Sequence, residues 1–193
     1  MGGSEVGTGV RTEESVIGGT AGGVATGVKR MIVVLPTYNE RENLPIMVET
    51  LFGLGIPGLE ILVVDDNSPD GTGDLAEELR AQHPQTLHVA HRPEKQGLGR
   101  AYLDGFARAL ALGADYVVEM DADFQHDPKV VREFRRWIEE YDVVVGSRYI
   151  PGGSVDDGWH LFRKLLSRGA SVYARLILGL QSHDPTGGFK CFR

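Results

Sequence analysis

Two aspartates one residue apart, Asp121 and Asp123, close an apolar run in the stretch VVEMDADFQHDP at 117–128. In an extended segment, side chains two apart project to the same side, so both carboxylates face one way and Gln125 adds an amide oxygen at the next step. Like charges this close raise one another's free energy unless something positive sits among them. The donors are all oxygen and no His or Cys set stands nearby at zinc spacing, so the group suits Mg²⁺ or Mn²⁺ with positions left for water and phosphate. An isolated D-x-D reads better as an acidic surface turn; its place directly behind Val117, Val118 and Met120 reverses that in favour of the metal. Asp127, followed by Pro128 and a helical pattern, reads instead as an N-cap with proline at the first helical position. His126 carries no assignment and reads as an exposed polar residue.

A second acidic cluster, VVDDNSPDGTGD at 63–74, places Asp65 and Asp66 at the end of another apolar run. Carboxylates there can accept hydrogen bonds from a ribose or from the N–H groups of a base. Asn67, Ser68, Asp70 and Gly71 have the makings of an Asx or Ser turn leading into a helix, so part of this loop is structural and one functional aspartate is expected. The run GLGRAY (97–102) resembles half of a dinucleotide fingerprint, but Tyr102 stands where the last glycine belongs and no strand immediately precedes it. A hydride-transfer reading therefore falls. The glycines serve better to let a helix begin close to a ligand or a neighbouring loop.

These clusters need elements to hold them. From Met31 onward, short apolar runs at 31–35, 59–64, 87–90, 115–120 and 142–147 alternate with helix candidates near 41–53, 72–83, 98–112 and 128–140. Strands apolar on both faces and separated by helices predict an α/β fold, a parallel sheet covered on each side. Such sheets bind ligands beyond the carboxyl ends of their strands. PTYNE, DDNSPDGT, HRPEKQGLG, DADFQHDP and SRYIPGG follow the five runs in turn, so one rim of the sheet collects the unusual chemistry. Residues 1–29, rich in Gly, Ser, Thr and Val without periodicity, read as a disordered leader ahead of a single domain over 30–193.

The 193 residues are 41% hydrophobic, enough for one substantial core. A net charge of −7 argues against non-specific nucleic-acid binding. The charge is uneven: residues 148–193 hold seven cations against three acids, so an anion is expected at that end. Cys191 is the only cysteine, which excludes an intrachain disulfide and fits a reducing compartment. No apolar run reaches the ~20 residues that span a bilayer, so a cytosolic or membrane-peripheral protein is expected. The segment 159–180 counts as an amphipathic helix with Arg163, Lys164, Ser167, Arg168 and Arg175 on one face, and Arg163 one turn before Ser167. That face is a solvated surface, a phosphate holder at Arg163 and Ser167, or a contact with anionic lipid.

Taken in order, VVLPTYNERENL, VVDDNSPDGT, QGLGRAY, MDADFQHDP, VVGSRY and DPTGGFKCFR resemble glycosyltransferase family 2, in its dolichol-phosphate mannosyltransferase-like branch, from Met31 to Arg193. The resemblance implies a GT-A fold and sugar transfer with inversion from a nucleotide diphosphate sugar, in this branch usually GDP-mannose, to a polyprenyl (dolichyl-type) monophosphate. It implies that Pro36, Tyr38, Glu40 and Asp65 bind the nucleoside. Asp121, Asp123 and Gln125 would hold the metal on the diphosphate, and Lys190 or Arg193 would help neutralise it. Arg148, Arg163 and Ser167 would bind the acceptor phosphate, with Asp121, Asp123 and Arg148 the catalytic set. The QxxRW motif of processive synthases is missing, which points to single transfers. Another sugar, such as glucose from UDP-glucose, fits the same chemistry.

A phosphate monoester with a second pKa near ~6 is already largely dianionic at neutral pH, so the acceptor needs no general base. The site has to hold its oxygen in line behind the anomeric carbon. Relatives usually continue past the position of Arg193 with further helices. The expectation is therefore a catalytic domain truncated there, attached peripherally to the cytosolic face of a membrane or through an anchoring subunit; a non-catalytic nucleotide-sugar or lipid-phosphate binding module is the alternative.

Overall fold

A computed structural model describes residues 27–147 and 187–193. The five apolar runs are strands: β1 Met31–Thr37, β2 Leu59–Asp65, β3 Leu87–His91, β4 Tyr116–Glu119 and β5 Val143–Val145. The helices between them are α1 Asn43–Phe52, α2 Thr72–Gln82, α3 Leu98–Ala111 and α4 Val131–Trp137. A single 3-10 turn, Pro128–Val130, leads into α4, and Asp127 caps it by accepting the Lys129 N–H at 3.0 Å.

A sixth strand, β6 Lys190–Phe192, was not expected. It lies antiparallel between β4 and β5, so the sheet runs β3-β2-β1-β4-β6-β5 and is mostly parallel, in agreement with the GT-A fold that the resemblance implies. The chain winds outward from β1 through β2 to β3, then returns to β4 on the other flank of β1. This reversal makes a crevice at the carboxyl ends of β1 and β4, where doubly wound sheets take their ligands.

Both faces of the central strands are buried, which is why they read as continuous apolar runs. Met31, Val33 and Leu35 pack with Ile61 and Val63 against the side carrying Leu44, Met47, Val48 and Leu51 of α1. Those α1 positions repeat at the spacing of one helical stripe. Ile32, Val34, Leu62 and Val64 face α3 through Ala101, Tyr102 and Ala109. The approach of α3 is close. A Cβ on Gly105 would lie 2.4 Å from Val34 Cγ1 and 3.2 Å from Val64 Cγ2. Cys191 is buried in β6, and burial pushes its thiol up to about 12, so it acts as core packing.

Near the other end of the sheet, buried Glu60 takes a bidentate pair from Arg30, at 2.7 and 2.8 Å, and meets His88 Nε2 at 2.8 Å. Burial alone would raise the Glu60 carboxyl, but the hydrogen bonds from Arg30 and His88 outweigh it and the group is held below its ordinary value.

Candidate functional site

Loops after β1, β2 and β4 build one rim, and each turns through a left-handed residue: Asn39 at φ 61°, Asn67 at φ 56° and Phe124 at φ 62°. Asparagine tolerates that conformation, whereas an aromatic side chain in it stores backbone strain on the order of 1–3 kcal/mol. The first two loops are stapled together. Asn39 N–H donates to Ser68 Oγ at 3.1 Å, Glu40 N–H to Thr72 Oγ1 at 3.0 Å, and Asp66 N–H to the Thr37 carbonyl at 3.0 Å. Asp70 accepts from the Thr72 N–H and hydroxyl, which makes the turn expected before α2.

Between these loops and the start of α3 lies a cleft of about 260 Å³. Pro36, Thr37, Tyr38 and Glu40 line it from β1 and its loop, and Asp66 from the second loop. Lys95, Leu98 and Ala101 face it from the start of α3, and Asp121, Ala122 and Asp123 from the loop after β4. A larger hollow of about 630 Å³ runs beside α3 past Arg92, Arg100 and Arg108, but its one carboxylate, Asp104, is already paired with Arg108 at 3.1 Å. The smaller cleft carries the chemistry.

Asp121 and Asp123 share this cleft, as their spacing predicts. The Tyr102 hydroxyl donates to Asp121 Oδ1 at 2.7 Å, and the Gln125 N–H donates to Asp123 Oδ1 at 3.0 Å. Burial, and then the Asp121 charge, push the Tyr102 phenol far above its ordinary value, so it remains a donor at any working pH. Asp121 N–H also donates to His126 Nδ1 at 3.4 Å, and the His126 ring stacks on Phe189 with centroids 4.8 Å apart. The residue without an assignment thus packs against and hydrogen-bonds the turn that carries the carboxylates. Glu119, one step into β4, is raised by burial and by Asp121, with Lys190 pulling the other way from the paired position on β6.

The donor set fits a divalent cation. Each aspartate has one oxygen committed to a protein donor and a second one for a ligand, and hard oxygen donors suit Mg²⁺ or Mn²⁺. Among the described residues no three of His, Cys, Asp and Glu converge as a closed metal cage. Other positions would fall to water and to oxygens brought by a ligand.

Pro36, Tyr38 and Glu40 line the cleft as the sequence suggests. Asp65 does not. It is buried and accepts from Thr37 Oγ1, Ser68 N–H and Ser68 Oγ, holding the two loops together, while Asp66 is the member of the pair that reaches the cleft. Asp66 is ion-paired with the buried guanidinium of Arg92. Gln125 is exposed and outside the lining of the cleft. Lys190 comes to the carboxyl end of β4 opposite Glu119, but β6 runs antiparallel and carries Arg193 toward the far end of the sheet. There Arg193 pairs with Asp142 and donates to the Glu139 carbonyl at 3.4 Å. Arg148, Arg163, Ser167 and the basic helix expected over 159–180 lie outside the described residues. Lys95 and Tyr102 were missed as functional candidates, although both sit in or beside the glycine-containing motif that marks the start of α3.

A switch-point crevice holding paired aspartates, on a mostly parallel sheet covered by helices, is the GT-A architecture. The glycosyl transferase family 2 profile matches residues 32–193, and the chain belongs to that family. It is 46% identical over 166 residues to a polyprenol monophosphomannose synthase of Mycolicibacterium smegmatis, covering 86% of this chain and 62% of that protein. It is 43% identical over 164 residues to an undecaprenyl-phosphate mannosyltransferase of Micrococcus luteus, covering 85% and 66%. The chain thus spans a little under two thirds of the length of these curated relatives. In fold it is similar to a mannosyltransferase of Pyrobaculum calidifontis solved with GDP-Man and Mn²⁺, at a TM-score of 0.54 and 21% identity over 86% of this chain and 45% of that one.

Proposed function

We propose that the chain is the catalytic part of an inverting transferase that moves mannose from GDP-mannose to a polyprenyl monophosphate. The observation that carries this reading is the convergence of Asp121 and Asp123 with Tyr38, Glu40 and Asp66 in one cleft at the strand switch point. The two relatives named for polyprenyl-phosphate mannose chemistry support the sugar and the acceptor, and the Pyrobaculum complex supports GDP-mannose and a divalent cation.

In this reading Pro36, Tyr38, Glu40 and Asp66 take the nucleoside, with Asp65 holding their loops in register. Asp121 and Asp123 would hold Mg²⁺ or Mn²⁺, which when bound supplies positive charge against the charge gathering on the departing diphosphate. Tyr102 and the Gln125 N–H fix the two carboxylates, so the site is organised before donor arrives. Lys190 is a second source of positive charge near the site. Arg148, Arg163 and Ser167 would grip the acceptor phosphate, and the paired donors of arginine suit that task. Contact with the lipid acceptor is assigned to a peripheral surface or an anchoring partner; among the described residues no helix is long and apolar enough to cross a membrane.

The test is transfer of radiolabel from GDP-mannose to a polyprenyl monophosphate in detergent, with Mg²⁺ or Mn²⁺ and with EDTA as control. Label entering the lipid phase only with metal is expected. Faster turnover of UDP-glucose would overturn the choice of sugar. Asp123→Ala should abolish metal-dependent donor binding, whereas Arg163→Ala should spare donor binding and weaken acceptor use. Donor binding without metal-dependent transfer in folded protein would favour a binding module.

A further inference from the structure

The cleft poses a problem of charge. Glu40, Asp66, Asp121 and Asp123 all line it, and a nucleotide sugar brings a doubly charged diphosphate into the same space. The Arg92 guanidinium answers Asp66 from beneath, and a divalent cation would answer Asp121 and Asp123. Arg193, a sequence candidate for the diphosphate, is committed to Asp142 elsewhere. Among the described residues lining the cleft, one cation is left. It is Lys95, whose Nζ stands 3.6 Å from the centroid of the Tyr38 ring.

We propose that Lys95 is the protein's own diphosphate ligand, parked on the Tyr38 ring until a nucleoside diphosphate enters and then transferred to a phosphate oxygen. This inference rests on the donor reading above. Three points support it. Lys95 is exposed and makes no ion pair with any described residue, so among these residues only the Tyr38 ring holds its charge. An exposed ammonium over a ring is held weakly, while an ammonium on a phosphate oxygen makes a charge-assisted hydrogen bond, the stronger of the two. Tyr38 belongs to the set assigned to the nucleoside, so a base that covered its ring would have to dislodge the ammonium. Base and phosphate binding then become one event: the group that the base displaces is the group that the phosphates need.

The decisive measurement is calorimetric titration of the full chain with guanosine, GMP and GDP in the presence of Mn²⁺. Lys95→Met keeps the stem of the side chain and removes its charge, and far-UV circular dichroism will show that it is folded. The variant should bind GDP about tenfold more weakly than the wild type and guanosine no more weakly, and Lys95→Arg should recover most of the loss. Unchanged GDP affinity in Lys95→Met would overturn the assignment. An equal loss for guanosine and GDP would also overturn it, by showing a contact with the base or a change in the loop. A wild-type chain that does not bind GDP would instead overturn the donor reading itself, and the role of Lys95 with it.

Discussion

Tyr102 on the first turn of α3 donates its hydroxyl to Asp121 Oδ1 at 2.7 Å, tying the helix that covers one face of the sheet to the carboxylate at the end of β4. The phenol is buried and its charge state does not change, so its effect on Asp121 is orientation. Partners that orient a metal ligand are worth roughly 10–100-fold in metal affinity. Tyr102→Phe should keep the fold and weaken Mn²⁺ binding by about tenfold or more, as followed by electron paramagnetic resonance during titration with GDP present. Undiminished Mn²⁺ affinity would show that Asp121 needs no such orientation.

The antiparallel course of β6 separates Lys190 from Arg193 and predicts different behaviour for the two. Arg193 forms an exposed ion pair with Asp142, a type of contact worth about 0–1 kcal/mol. Arg193→Ala should leave GDP affinity unchanged and lower the urea midpoint slightly. A loss of GDP binding would place Arg193 at the cleft and contradict the β4–β6 register.

Gly105 has no room for a methyl group against Val34 and Val64. In an exposed helix a change from glycine to alanine stabilises, because alanine is the better helix former. Here the packing clash wins, and Gly105→Ala should cost about 1–3 kcal/mol. Thermal unfolding measures it. A raised midpoint would mean that α3 stands further off the sheet than the structure shows.

Glu60 supplies a pH dependence with a definite sign. Its carboxyl is lowered in the fold from an ordinary value of 4.5, so the native state holds the charged form more tightly than the unfolded chain does. The associated stability is complete above the ordinary value and drains away as the pH falls through it toward the lower folded value. Urea midpoints measured from pH 6 down to pH 3 (about the range of carboxylate titration) should fall, and fall less steeply in Glu60→Gln. Equal slopes for the two proteins would remove Glu60 from the account of acid sensitivity.

The strands through β5 and the four helices were legible because burial on both faces, or along one stripe, leaves continuous or periodic apolar patterns. The clustering of motifs at one rim followed from strand direction alone. What escaped was pairing between distant segments. KCF at 190–192 is too short to show a period, and nothing local says that it slides between β4 and β5. The resemblance offered Lys190 or Arg193 for the diphosphate, and only the direction of β6 separates the two. Asp65 and Asp66 are neighbours in sequence, so composition could not say which one enters the cleft. The contacts of Lys95 with Tyr38 and of Tyr102 with Asp121 join residues far apart in the chain, and only the packed loops bring them together.

The late position of β6 also bears on how the protein is made. Among the described residues β5 pairs only with β6, and β4 has β6 as its second neighbour. A nascent chain can assemble β1 to β4 as each emerges from the ribosome, but the flank of β4 stays an open edge until Lys190–Phe192 has been synthesised. Unpaired edges invite association with other chains, and multi-element chains are most exposed to it in such partly built states. Until Lys190–Phe192 has emerged, β4 therefore presents a bare edge, and this short strand both closes that edge and gives β5 its partner among the described residues.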